Sequence, residues 1–218
     1  MKSFCVIGMG SLGCTIAKEL EKSGHQVLII DKDEKKVNDI ADFVTDARVG
    51  DSTDQNVLIS AGVKHYDCAV VCMSSDINAS ILTTLFLKEL GVPRVIVRAG
   101  NEYECRVLEK IGADDIVYPE RDMGEKLAYT LDKNNVVERL TFSNEYSIVE
   151  RKVPRSWVGK TIIELNVRRK YGINIIAVSN SEMTEFDMTP MPDRVFAEGE
   201  IITLIGANKD LDKIAKGE

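Results

Sequence analysis

Residues 4–31 leave few ways for this chain to begin folding. Phe4-Cys5-Val6-Ile7 is a short apolar run with the character of a buried strand, and it leads directly into Gly8-Met9-Gly10-Ser11-Leu12-Gly13. A helical pattern follows, and a second apolar run, Val27-Leu28-Ile29-Ile30, closes on Asp31. Strand, glycine-rich turn, helix, strand and acid, in that order, make up a nucleotide-binding fingerprint; a lone GxGxxG would not. Each part has a physical reason. Gly8 permits the tight turn, Gly10 lets a phosphate approach the backbone, and Gly13 lets helix and strand pack closely. The helix N-terminus offers unpaired N–H groups and a partial positive charge. Asp31 is placed to accept both ribose hydroxyls.

The rest of the first 134 residues continues the alternation. Strands are expected near 3–7, 26–30, 45–49, 68–73, 94–98 and 115–118. Helices are expected near 11–23, 34–43, 54–61, 76–90, 102–111 and 121–132. The strands read as unbroken apolar runs, such as Ala69-Val70-Val71 and Val95-Ile96-Val97, as parallel strands covered on both faces do. In helix 76–90 the apolar face is expected to be Ile77, Ile81, Leu82, Leu85 and Leu90, with Gly91-Val92-Pro93 stopping the helix. The expected fold is α/β, a Rossmann-like doubly wound parallel sheet.

The pattern changes after Asn134-Asn135. Val136–Leu140 and Ser147–Val153 read as strands, Ile162–Lys170 as one short helix, and Ile173–Val178 and Ile201–Ile205 as further strands. Residues 135–218 therefore form a small α+β C-terminal domain behind a nucleotide-binding domain at 1–134. Helix 121–132 with Asn134-Asn135 is the expected hinge.

Composition removes several function classes. A net charge of −7 argues against nucleic acid as a partner, which would require a basic stripe. No apolar run approaches the roughly 20 residues that cross a bilayer, so a soluble, cytoplasmic protein is expected. The five cysteines are odd in number, and three lie in apolar runs, where they behave as small hydrophobes.

Further candidates sit on the rim where open α/β sheets bind ligands. Lys32 follows Asp31. Ser74 and Ser75 follow the fourth strand, and Arg98 ends the fifth, where its guanidinium reaches a phosphate or forms a structural ion pair. Glu120 follows the sixth strand and also suits the first turn of helix 121–132.

Several further segments carry a resemblance. They are Gly50-Asp51-Ser52-Thr53, Leu108–Asp114 and Tyr118–Gly124 in the first domain. In the second they are Trp157–Leu165, Arg168–Val178, Pro190-x-Pro192, Val195-Phe196-x-x-Gly199-Glu200 and Leu204-Ile205-Gly206. With Gly8–Gly13 and Asp31, these make the chain similar to the Ktr/Trk potassium-uptake regulatory subunits (TrkA/KtrA-like), which pair an RCK N-terminal with an RCK C-terminal domain. The resemblance covers essentially the whole chain. It implies a homo-oligomer, dimers in an octameric ring, bound at the inner face of the membrane beneath a membrane-embedded potassium transporter subunit.

The resemblance also implies that ATP, ADP or NAD(H) binds the first domain, with Asp51 and Ser52 at the adenine edge. Capping of helix 54–61 is the structural alternative for those two residues. Where ATP-binding relatives carry an arginine, this chain has Ser11, which favours ADP, AMP or NAD(H). Glu120 matches a position that binds a divalent cation, magnesium or calcium, between paired nucleotides. Ile162, Ile163, Arg168, Asn174, Ile175, Ile176 and Pro190 match positions lining a cyclic di-AMP pocket. The isoleucines would also suit an ordinary core.

An NAD(P)-dependent oxidoreductase is the alternative from another class, and the regulatory subunit of a potassium channel is the alternative within the same fold. Tyr129 and Lys133 have YxxxK spacing, but the companion TGxxxGxG turn is missing. His25 and His65 have no catalytic partners at suitable spacing. A non-enzymatic sensor is the expected class.

Overall fold

The computed structural model describes residues 1–73, 76–132, 136–143 and 145–216. Two compact units make up the chain, Met1–Arg121 and Asp122–Glu218. The join expected at Asn134-Asn135 lies outside the described residues.

The first unit alternates strand and helix throughout. Its strands are β1 (Ser3–Ile7), β2 (Gln26–Asp31), β3 (Asp46–Val49), β4 (Cys68–Val71), β5 (Val95–Arg98) and β6 (Asp115–Val117). The helices between them are α1 (Ser11–Lys22), α2 (Glu34–Ala41), α3 (Gln55–Ser60), α4 (Ile77–Glu89) and α5 (Glu102–Lys110). Helix α6 (Pro119–Asp132) begins here and continues into the second unit. The sheet order is β3-β2-β1-β4-β5-β6 and every pairing is parallel. That order reverses direction between β1 and β4, which opens a crevice at their carboxyl ends.

The apolar runs of β1, β2, β4 and β5 are continuous because each of these inner strands feeds two cores. Cys5, Ile7, Leu28, Ile30, Ala69 and Val71 pack on one face. Val6, Val27, Ile29, Cys68 and Val70 pack on the other. A strand alternates its side chains, so burial on both faces removes the polar half of the usual pattern. Burial also pushes the Cys72 thiol up to about 12, so it stays neutral among hydrophobes.

Helix α4 corrects one expectation. Its buried residues are Ala79, Ser80, Thr83, Thr84 and Leu87, whereas Leu85 is exposed. Ile81 and Leu90 pack only partly against the core. The helix has large apolar residues on several sides, so their spacing does not single out the face that packs. Small residues let α4 lie close to its neighbours. Thr84 Oγ1 donates to the Ser80 carbonyl at 2.7 Å, and the Thr83 hydroxyl lies 2.8 Å from that of Ser52, whereas the buried Ser80 hydroxyl has no partner among the described residues.

The second unit is antiparallel. Its strands are β7 (Val136–Thr141), β8 (Tyr146–Lys152), β9 (Asn174–Ser179), β10 (Phe186–Asp187) and β11 (Ile201–Ala207), in the order β10-β9-β11-β8-β7. Trp157, Leu165, Phe196, Leu211 and Ile214 join Val178, Ile202 and Leu204 in one core. The helix expected at 162–170 is two helices, α7 (Ile162–Leu165) and α8 (Val167–Tyr171). Asn166 separates them with φ 47°, a left-handed conformation that asparagine tolerates better than most residues. Strand β10 and the closing helix α9 (Asn208–Lys216) are additions to the sequence reading.

Candidate functional site

Four chain segments meet at the crevice. Gly8 takes φ +94° at the end of β1, which an L side chain rarely adopts. A Cβ on Gly13 would lie 2.1 Å from the Gly8 carbonyl oxygen, so α1 can pack here only without a side chain. A Cβ on Gly10 would meet nothing within 4 Å; the space beside the turn is open, as a phosphate cradle must be. Met9 is buried and Leu12 packs partly against the same core, so these two residues offer main-chain groups to a ligand. The first N–H groups of α1, from Ser11 onward, have no intrahelical acceptor.

Asp31 braces this turn. Its Oδ2 accepts from Met9 N–H at 2.6 Å and its Oδ1 from Asp33 N–H at 2.9 Å. Both oxygens keep lone pairs for ribose hydroxyls. The cavity beside it is also lined by Lys32, Gly50, Asp51, Ser52 and Met73. Asp51 Oδ1 accepts from the Thr53 hydroxyl at 2.7 Å and its N–H at 2.9 Å. Those two bonds hold the Asp51 carboxyl below its ordinary range, and it stays ionised. Asp51 is not the cap of α3; Asp54 is, accepting from Asn56 N–H. Ser52 is buried, with its hydroxyl 2.8 Å from that of Thr83 on α4.

Lys36 and Asp76 also line the cavity, and the sequence reading did not include them. Lys36 lies in the first turn of α2, whose N-cap Asp33 directly follows Lys32, and that cap is the signal that could have placed it near the crevice. Ser74 and Ser75 lie outside the described residues. Arg98 and Glu120 do not line this cavity; they pair with each other. The Arg98 bond holds the Glu120 carboxyl below its ordinary range. One carboxylate already engaged by a guanidinium does not suit a divalent cation. Among the described residues no cluster of three or more acidic, histidine or cysteine side chains could hold a metal.

Residues outside the crevice have structural partners. His25 Nδ1 accepts from Lys2 N–H, and its ring leans on Phe4. Tyr129 belongs to the second unit, where the Arg139 guanidinium lies 4.0 Å from its ring centre. Lys133 lies outside the described residues.

In the second unit, α7 carries Ile162 and Ile163, α8 carries Arg168, and β9 carries Asn174, Ile175 and Ile176. Ile163, Arg168 and Asn174 are exposed, whereas Ile162 and Ile175 pack partly against the core. A bulge leaves Ile176 without a partner, because Thr203 faces Ala177 and Leu204 faces Ile175. Pro190 sits in the segment between β10 and β11. That segment is tied to α7 by Ile163 N–H donating to the Pro192 carbonyl at 3.0 Å.

Comparisons with known proteins match both units. The TrkA-N domain family model matches residues 4–119 and the TrkA-C domain family model residues 148–216. The chain is 42% identical to the Ktr system potassium uptake protein A of Bacillus subtilis, covering 97% of this chain and 95% of that protein. It is 35% identical to the protein of the same name from Vibrio alginolyticus, covering 98% and 95%. Among solved structures, the GsuK channel bound to NAD superposes with a TM-score of 0.54 at 25% identity. That match spans the whole of this chain and 39% of the channel chain. GsuK bound to ADP gives 0.53 at 27% identity over 60% of this chain and 34% of that one.

Proposed function

Because the chain belongs to the family that joins a TrkA-N domain to a TrkA-C domain, we propose that it is the nucleotide-sensing regulatory subunit of a membrane potassium-uptake system. The observation that carries the proposal is the braced turn, in which Asp31 holds Met9 N–H beside the open space at Gly10. The ligand is an adenine nucleotide, with NAD(H) and ADP favoured over ATP. Ser11 gives the terminal phosphate no charge-assisted contact, and GsuK is a relative in fold that binds NAD and ADP. Gly8–Gly13 cradle the phosphates, Asp31 holds the ribose, Lys32 and Lys36 flank it, and Asp51 and Ser52 border the base. Arg98, paired with Glu120 through one guanidinium nitrogen, keeps donors for a phosphate. Ser74 and Ser75, which follow β4 in the sequence, belong to the proposed set.

The protein works as a cytoplasmic homo-oligomer held at the membrane by its transporter partner. No described helix is long and apolar enough to cross a bilayer. Met123, Leu127 and Leu131 form an exposed apolar stripe at four-residue spacing on α6, which suits a second copy of the chain. The second domain, beyond the join at 134/135, supplies a further surface. The exposed Ile163, Arg168 and Asn174, with the bulged Ile176 and Pro190, present apolar faces beside a cation and an amide. That chemistry suits the purines and phosphates of cyclic di-AMP.

Coupling follows from linkage: each ligand shifts the conformational equilibrium only by its differential affinity for the two states. The function is therefore sensing, not hydride transfer. Calorimetric titration of nucleotide-free protein with ADP, ATP, NADH and cyclic di-AMP, with Asp31→Ala alongside, tests this. Adenine-nucleotide binding that is lost in Asp31→Ala is the expected result. Oxidation of NADH with any added carbonyl substrate would instead support the oxidoreductase alternative.

A further inference from the structure

Apolar burial does not hold the segment that carries Pro190. From Met188 to Val195 no side chain is buried, and Met188, Met191 and Val195 are well exposed. The next buried anchor is Phe196. A segment of this kind keeps one conformation only through polar ties, and one residue gathers most of them. Arg194 Nε donates to Asp187 Oδ2 on β10 at 3.0 Å. Its two terminal nitrogens donate to the two oxygens of Glu200 at 3.2 and 2.9 Å. Its N–H donates to the Met191 carbonyl at 3.0 Å, and its own carbonyl accepts from Ile162 N–H at 3.3 Å. Glu200 in turn accepts from Ala197 N–H at 2.8 Å.

We infer that Arg194 is a positioning residue for the second ligand site, holding the Pro190 segment against α7 in the conformation that receives cyclic di-AMP; this rests on the cyclic di-AMP reading given above. The clamp joins what the ligand would need together. Through Asp187 and Glu200 it fixes both ends of the segment. Through its carbonyl, and through the Pro192 carbonyl that accepts from Ile163 N–H, the same segment grips the start of α7. Ile163, Met188, Met191 and Val195, all in the segments so tied, expose apolar surface, which is what a recognition surface offers and a folding nucleus does not. The geometry is specific to arginine. A planar fork meets one carboxylate with two nitrogens and a second with its Nε, whereas lysine presents a single ammonium. Fixing a segment before binding raises affinity by lowering the ordering cost that binding must meet.

The test uses full-length wild type, Arg194→Gln and Arg194→Lys. Each is titrated with cyclic di-AMP and with ADP, and amide exchange is followed over residues 160–164 and 189–197 with and without cyclic di-AMP. In Arg194→Gln the cyclic di-AMP Kd should rise roughly tenfold, the scale of one lost charge-assisted contact, while the ADP Kd stays unchanged. Exchange at Ile163 and Ala197 should quicken in the free variant and return to the wild-type rate at saturating cyclic di-AMP, with β8 and β11 protected throughout. Arg194→Lys should fall between the two. Wild-type affinity in Arg194→Gln overturns the inference alone, as does loss of protection across β8 and β11. Absence of cyclic di-AMP binding in the wild type removes the cyclic di-AMP reading and this inference with it. If Arg194→Gln does not fold, Asp187→Asn takes its place with the same expected pattern and the same overturning result.

Discussion

Asp31 does two tasks with one carboxylate, and its replacement should separate them. It braces Met9 N–H and faces the open side of the glycine turn. Asp31→Ala should weaken ADP binding by about 1.5–3 kcal/mol, as loss of hydrogen bonds to a charged group does. Calorimetry reads this directly. Gly13→Ala acts differently, because its Cβ would meet a backbone oxygen that cannot rotate away. It should destabilise the first unit by about 1–3 kcal/mol, seen as a lower urea midpoint. Glu200 gives a pH signature. Burial raises its carboxyl, but the Arg194 bond, the Ala197 N–H and the Arg194 charge outweigh burial and hold it below the ordinary 4.5. A carboxyl depressed on folding stabilises the fold fully above its unfolded value and loses that contribution as pH falls through the folded one. Denaturant melts of the second unit should therefore weaken on acidification below about 4.5, and Arg194→Gln should flatten that dependence. The glycines and Asp31 were legible in the sequence because their spacing is local. Arg194 was not, because its partners become visible only once the strands are folded.

Among the elements, the parallel strands announce themselves and the short helices do not. Val95-Ile96-Val97 can be read directly because burial on both faces leaves no polar position. Helix α4 has its boundaries in the sequence, with Asp76 capping one end, but its buried face is set by how closely Ser80 and Thr83 let it approach. The break at Asn166 escapes periodicity because one left-handed residue does not disturb the apolar spacing around it. Asn166→Ala should cost about 1 kcal/mol, whereas Asn166→Gly should be neutral or slightly stabilising, since a Cβ is disfavoured at that φ. Thermal melts of the two variants distinguish a backbone effect from a side-chain one. The bulge at Ile176 is likewise invisible in sequence. It puts Ile175 and Val178 into one core although a regular strand would send them to opposite faces.

At the scale of the molecule, two compact units mean two stabilities. The first unit and the second have separate buried clusters, so calorimetric unfolding of the full chain should resolve two transitions. ADP at about 100 times its Kd should stabilise one of them by about 2.7 kcal/mol. Leu127→Asp with Leu131→Asp should lower the oligomeric mass seen in sedimentation, because both residues expose apolar surface on α6. The second, antiparallel sheet was legible from the change of rhythm after residue 134, since parallel and antiparallel sheets bury their strands differently; the division of the units between Arg121 and Asp122 was not, because it falls inside α6.

The cavity at the crevice also has a consequence for synthesis. All its lining residues fall between Ile7 and Ala79, and none comes from the second unit. A ribosome making this chain has joined every residue of the nucleotide pocket before it translates β5, and the whole first unit before it reaches Asp122. Each parallel pairing of that unit joins strands that precede Asp122, so the sheet can close while the second unit is still being made. Nucleotide in the cytosol is then available to a chain still tethered to its ribosome, and the first ligand this sensor meets can be one that helps it fold.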